Sequence, residues 1–155
     1  MRLALYEPDI PQNAGTILRL APCLGIGVDL IEPLGFVLTE EKFRRAGLDY
    51  WEHAAMTRHA SFAAFEAVRR AEGRRLILFT TKAGTSYTDF AFREADTLLF
   101  GRESSGAPPA VHGAADAALC IPLMAGRRSL NVAVAAAMAL GEALRQTQGF
   151  PKTDG

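Results

Sequence analysis

Short, mainly apolar runs alternate along this chain with stretches whose apolar residues recur three or four apart. Leu3 to Tyr6, Val28 to Ile31, Arg75 to Thr80 (RLILFT), Thr97 to Phe100 and Ala117 to Ile121 are the runs. Each predicts a short strand buried on both faces. Ala54 to Thr57 is a weaker candidate for a third strand in chain order. Between the strands, Asn13 to Leu24 carries Ile17, Leu18, Leu20, Ala21 and Leu24 at helical spacing, with Pro22 set to kink or end the helix. Ahead of it, Pro8 and Pro11 predict an extended loop. Thr39 can cap a short helix through Arg45, with Glu40 and Glu41 in the first turn where the helix dipole favours them. Ser61 caps a helix through Glu72 with Phe62, Phe65 and Val68 as its apolar face, and Pro108 to Ala115 is a weak helix.

The last helix takes Ser129 or Asn131 as its cap. Val134, Met138 and Leu144 share roughly one side of it, and its alanines offer another helix a flat surface. That surface suits a dimer contact and a packed face within one subunit equally well. Strands and helices alternating in this way predict an α/β fold, a parallel, Rossmann-like sheet covered on both faces. One domain is expected over 1–150, with 151–155 as a flexible tail. In such folds ligands sit at the carboxyl ends of strands. The residues there are Phe79, Thr80 and Thr81, then Gly101, Arg102 and Glu103, then Ile121, Pro122 and Leu123. Mostly apolar and backbone in character, they suit a neutral or aromatic ligand better than a polyphosphate.

Composition narrows this picture in three ways. Seventeen basic and seventeen acidic side chains cancel, so an RNA partner has to be held by local patches rather than by bulk charge. Cys23 and Cys120 lie far apart in apolar surroundings, which reads as two buried free thiols in a reducing compartment. The apolar run before Glu7 is too short for a signal peptide and no stretch is long enough to span a membrane, which points to the cytoplasm.

Several chemistries drop out. No glycine-rich dinucleotide fingerprint follows the first strand, which leaves Glu32 a weak ribose ligand, and no P-loop or nucleophile elbow is present. His53, His59 and His112 lack metal-site spacing and read as surface or loop residues, so no metal is expected.

Three segments remain: NAGTILR (Asn13 to Arg19), LFGRESSG (Leu99 to Gly106) and IPLMAGRRSLN (Ile121 to Asn131). In order, they resemble the N-x-G-x-x-x-R, F-G-x-E-x-x-G and I-P-x…S-x-N motifs of the SPOUT class of RNA methyltransferases. The connecting LYEP, IEP-x-GF, RRAGLDYW and TTK segments extend the resemblance over nearly the whole chain, toward the small wobble-position tRNA 2′-O-methyltransferases. The resemblance implies a C-terminal deep trefoil knot, which physics alone argues against, since knotted chains are very rare. It also implies S-adenosylmethionine bound in the knot, and a homodimer with RNA and active site at the subunit interface.

By position, Phe79, Gly101, Ile121, Leu123, Ser129 and Leu130 match cofactor contacts, and Gly101 would let backbone and ligand approach closely. Arg19 matches the arginine assigned to catalysis, and Asn13, Glu103 and Asn131 are the other polar motif positions. The basic pairs Arg44–Arg45, Arg74–Arg75 and Arg127–Arg128 are candidates for gripping a tRNA anticodon stem-loop, with Arg127–Arg128 favoured by its place beside the cofactor loop. The competing readings are methylation at another tRNA or rRNA site, a non-catalytic RNA-binding dimer that keeps the fold, and, more distantly, a nucleotide-binding oxidoreductase.

Overall fold

A computed structural model describes residues 1–45 and 55–153. Among these, six strands form one sheet: β1 (Arg2–Tyr6), β2 (Gly27–Ile31), β3 (Met56–His59), β4 (Leu76–Phe79), β5 (Thr97–Phe100) and β6 (Ala117–Leu119). All the pairings are parallel, in the order β3-β2-β1-β5-β4-β6. Five helices connect or follow them: α1 (Pro11–Cys23), α2 (Glu40–Arg45), α3 (Phe62–Ala71), α4 (Pro109–Ala114) and α5 (Val132–Thr147).

The mainly apolar runs, without polar alternation, follow from a sheet covered on both faces. Alternate residues of each strand face opposite layers. Leu3, Leu5, Val28, Leu30, Ile77, Phe79, Leu98 and Phe100 pack on the α1 and α5 side, while Ala4, Ile31, Leu76, Leu78 and Leu99 pack with Phe65 of α3 and Val111 of α4. One polar knot interrupts the second layer. The buried Asp29 carboxylate accepts bonds from Arg2 Nε (2.7 Å) and Arg74 Nη1 (3.5 Å), and meets His59 Nε2 at 2.8 Å. Gly27 makes room for it, since a Cβ there would lie 2.2 Å from Arg2 Nη1.

Several local expectations are corrected. Pro11 opens α1 instead of holding an extended loop, because its missing N–H is unpaired at that position anyway. Pro22 sits inside the last turn, and the helix runs on to Cys23. β3 lies two residues later than expected, an edge strand with Thr57 and Arg58 exposed; the Ala54 at the start of that expected strand lies outside the described residues.

In α3 the buried face is Phe65, Glu66 and Arg69, with Val68 exposed; the guanidinium of Arg69 is neutralised by Glu66 at 2.6 Å. In α5 the alanines Ala133, Ala136, Ala139 and Ala143 are buried with Leu140 and Leu144, and it is Val134 and Met138 that face outward. The alanine face is thus spent inside the subunit, against α1 and β5. Cys23 is exposed and Cys120 half-buried, both free. His59 is buried in the polar knot, not on the surface. Among the described residues no helix is long and apolar enough to cross a membrane.

Candidate active site

A cavity of about 540 Å³ opens at the carboxyl ends of β4, β5 and β6. It lies where sheet order departs from chain order, with β5 returning between β1 and β4 and β6 passing to the far side of β4. Phe79 and Phe100, stacked with centroids 5.1 Å apart, come from the strand ends. Ile121, Leu123, Val132 and Ala135 add apolar wall, and Thr80, Gly101, Ser129 and Asn131 add polar groups.

The three motif segments converge here. All six residues matched to cofactor contacts, Phe79, Gly101, Ile121, Leu123, Ser129 and Leu130, line this one cavity, as do Asn13, Glu103, Asn131 and Arg128. The structure does not bring the others in. Arg19 stands exposed on α1, and Arg127 is exposed outside the lining. Arg44 is exposed on α2, far along the chain from the motif loops, and Arg45 ends that helix with its side chain outside the described residues. Arg74 and Arg75 are withdrawn from any RNA surface by ion pairs to Glu72 (2.6 Å) and Asp96 (2.7 Å). Of the histidines, His112 lines the cavity from α4, and His53 lies outside the described residues.

Local chemistry explains how each loop is held. Asn131, not Ser129, caps α5: its Oδ1 accepts from the N–H groups of Ala133 (2.8 Å) and Val134 (3.3 Å). Its Nδ2 donates to Asn13 Oδ1 at 2.8 Å, joining motif one to motif three across 118 residues. At Gly101 the protein's own backbone also comes close. A Cβ there would lie 2.5 Å from Ala107 N and from Gly106 C, so the absent side chain admits the protein's own backbone. That loop closes on reciprocal bonds between Arg102 and Gly106 (3.2 and 2.7 Å), with Gly106 at φ 70°.

Glu103 is the one carboxylate in the lining among the described residues, and its neighbour is another acid. Asp9 N–H donates to Glu103 Oε2 (3.0 Å) and Glu103 N–H to Asp9 Oδ1 (3.2 Å). The bond to Glu103, with help from Ser104 and Arg102, holds the Asp9 carboxyl down at about 2. Burial, followed by the nearby Asp9, pushes the Glu103 carboxyl up. Sequence reading assigned no site role to Asp9 or Lys82, and took His112 for a surface or loop residue. Lys82 was within reach, standing one residue past the Thr80–Thr81 strand end already singled out.

A parallel α/β sheet with a ligand-sized cavity at its carboxyl edge, lined by residues of three motifs, is the architecture of a small-molecule-binding α/β domain. Comparison with known proteins gives the family. Residues 1–141 match the model of the SpoU rRNA methylase family, and the chain belongs to that family. It is 60% identical over 153 residues to the tRNA (cytidine(34)-2′-O)-methyltransferase of Ancylobacter novellus, covering 99% of this chain and 97% of the relative. To the protein of that name in Escherichia coli K12 it is 37% identical, covering 97% and 96%. A solved structure described as giving insight into 2-OH methylation of C/U34 on tRNA superposes with a TM-score of 0.88 at 47% identity, covering 96% of each chain. The SpoU methyltransferase AviRb of Streptomyces viridochromogenes, in complex with AdoMet, superposes with a TM-score of 0.81 at 28% identity, covering 94% of this chain and 57% of the other.

Proposed function

We propose that this protein is an S-adenosylmethionine-dependent tRNA 2′-O-methyltransferase acting on the ribose of the wobble nucleotide, cytidine or a modified uridine at position 34. The observation that carries the reading is the convergence of three sequence-distant motifs on a single cavity. Its volume falls within the roughly 300–1,000 Å³ of small-molecule sites. The wall suits the cofactor: stacked Phe79 and Phe100 with Ile121 and Leu123 offer apolar surface to a purine and thioether chain, and groups of both signs, Glu103 against Lys82 and Arg128, suit a zwitterionic amino acid.

When bound, the cofactor supplies an electrophilic methyl on a sulfonium for in-line transfer to a ribose hydroxyl. The remaining tasks belong to the protein. Asn131, locked by the α5 backbone and by Asn13, fixes the edge of the cavity shared by motifs one and three. A guanidinium donates hydrogen bonds and does not accept protons, so the role of Arg19 is to orient a phosphate and stabilise developing negative charge on the hydroxyl. Because Arg19 is exposed and outside the cavity of its own subunit, it serves the chemistry across a homodimer interface, next to the cavity of a second copy. The outward Val134 and Met138 of α5, 50% and 40% exposed, with the exposed Leu130, supply apolar surface for that contact. Arg127 and Arg128, beside the cofactor loop, grip the anticodon stem-loop phosphates, and Arg44 and Arg45 are the other basic pair assigned to RNA.

The C-terminal segment is proposed to form the knot. Support comes from the loop after β4, which brackets Cys120: Cys120 N–H donates to Thr85 O (2.9 Å) and Tyr87 N–H to Cys120 O (2.9 Å). Beyond that bracket, α5 returns to the middle of the sheet, and Gln146 bonds Phe90 O and Phe92 N–H at 3.0 Å each.

The test is transfer of tritium from labelled S-adenosylmethionine to total tRNA lacking 2′-O-methylation, followed by nucleoside mapping. Label on the wobble ribose is the expected result. Label at another position would refute the assigned target, and cofactor binding without transfer to any RNA would refute catalysis.

A further inference from the structure

Three strand-end loops meet at one side chain that lies outside all three motifs. Asp9 sits between β1 and α1, two residues ahead of the Pro11 that opens the helix bearing Asn13. Its backbone N–H donates to Glu103 Oε2 at 3.0 Å, and its Oδ1 accepts from the Glu103 N–H at 3.2 Å. Side chain and backbone are exchanged reciprocally between loops 94 residues apart. Its other oxygen, Oδ2, accepts from the Ser104 hydroxyl and lies 3.7 Å from Arg102 Nε, while Arg102 Nη1 donates to Glu7 Oε2 at 3.3 Å. The loop after β2 closes the third side. Gly35 N–H donates to Pro8 O at 2.9 Å, and a Cβ on Gly35 would lie 2.7 Å from Asp9 Cβ.

We infer that Asp9 is a positioning residue, which with Glu103 clamps the β1–α1 loop to the β5–α4 loop and so fixes the cavity wall bearing Ile10, Asn13 and Glu103. The lining residues Phe79, Ile121, Leu123, Ser129 and Leu130 come from other segments and take no part in the clamp. Glu103 is thereby turned from a motif acid free to act on the ribose into one whose Oε2 is held by a backbone N–H. Asp9 is not among the residues that line the cavity. Its effect passes through Glu103 and the start of α1.

The kinetic part of this inference rests on the methyltransferase reading; the structural part does not. Asp9→Ala removes the acceptor of the Glu103 N–H and leaves the Asp9 N–H in place. In the full-length protein it is expected to speed hydrogen exchange of the Glu103 amide at least about tenfold, as local opening becomes easier. With S-adenosylmethionine and tRNA, kcat is expected to fall about 10- to 100-fold, the size of effect that an ångström-scale misplacement produces. Cofactor Kd by calorimetry is expected to rise by a smaller factor than kcat falls, because Phe79, Ile121, Leu123, Ser129 and Leu130 lie outside the two clamped loops, although Gly101 and Glu103 lie at one of them. Asp9→Asn keeps Oδ1 as an acceptor and is expected to restore both exchange protection and kcat to within about threefold of the parent, given that the acceptor alone is restored.

Unchanged Glu103 exchange in Asp9→Ala would overturn the clamp. Unchanged kcat, or a cofactor Kd that rises in step with the loss of kcat, would overturn the positioning role. Should Asp9→Ala fail to fold, Asp9→Ser, whose hydroxyl stops short at the Cγ position, carries the same comparison. If the parent protein transfers no methyl, the functional reading fails while the exchange measurement still decides the clamp.

Discussion

A single methyl group at Gly101 tests whether the loop after β5 is shaped by the protein's own packing. Gly101 is not among the residues with positive φ, so its backbone is open to alanine and the cost of Gly101→Ala is steric alone. The new Cβ would meet Ala107 N and Gly106 C at 2.5 Å and Gly106 Cα at 3.0 Å, all backbone atoms, where ordinary contact begins at 3.4 Å. Relief requires the 106–107 segment to retreat by about 0.9 Å, stretching the 2.7 Å bond from Gly106 N–H to Arg102 O. Overpacking of this kind costs about 1–3 kcal/mol, which in a domain of this size lowers Tm by roughly 2–12 °C. Because Gly101, Gly106 and Ala107 all line the cavity, cofactor affinity is expected to fall at least about tenfold, somewhat more than 1.4 kcal/mol. Calorimetric titration with S-adenosylmethionine and a thermal melt without it are the two measurements. Parent-like Kd and Tm together would show that the loop yields freely, and the account of Gly101 given above would be wrong.

The remaining predictions concern stability and RNA. Asn131→Ala removes the α5 cap and is expected to cost about 1 kcal/mol in urea unfolding. Asn131→Asp keeps the cap while losing the donor to Asn13, so stability returns and methyl transfer does not. Asp29→Ala leaves Arg74 and His59 facing an empty site in the second layer, and is expected to cost about 3–5 kcal/mol by the same assay. Burial alone would raise the Asp29 carboxyl, but the bonds from Arg2 and His59 and the charges of Arg2 and Arg74 outweigh it and hold it below its ordinary value of 3.8. A carboxyl lowered by folding stabilises the native state above its unfolded value and loses that contribution as pH falls through the folded one. The parent is therefore expected to lose stability below about pH 4 more steeply than Asp29→Asn, read from urea midpoints across pH. Neutralising Arg127 and Arg128 together is expected to weaken tRNA binding more than cofactor binding and to flatten the salt dependence of tRNA binding by about 0.7 per lost single-strand phosphate contact; equal losses in both would count against an RNA role.

What the sequence revealed and what it concealed divide along the range of the interactions. β5 is found at its expected limits because Thr97 followed by three consecutive apolar residues, all buried, is a local signal. β3 is misplaced because an edge strand reading MTRH carries no such run. Whether the alanine face of α5 meets a second subunit or packs within one was open in the sequence, because small side chains suit either, and the fold turns it inward against α1 and β5 with Leu140 and Leu144. Converging motifs were legible as residue types, and the cavity unites them. The reciprocal bonds of Asp9, the contact between Asn13 and Asn131 and the backbone crowding at Gly101 each join loops or backbone segments only after the chain has folded. No local spacing encodes them.

The position of β1 carries a consequence for how this protein is made. It is a central strand, with β2 on one side and β5 on the other, and its second partner begins only at Thr97. A ribosome moving at about 5–20 residues per second needs roughly 3–14 s to pass from the end of β2 to the end of β5. Throughout that interval one edge of the future sheet centre presents unpaired N–H and C=O groups flanked by Leu3, Ala4 and Leu5, a template for strands of other chains. Nascent chains released before residue 97 lack the partner altogether. Aggregation during synthesis, rather than unfolding of the finished enzyme, is the hazard this strand order creates.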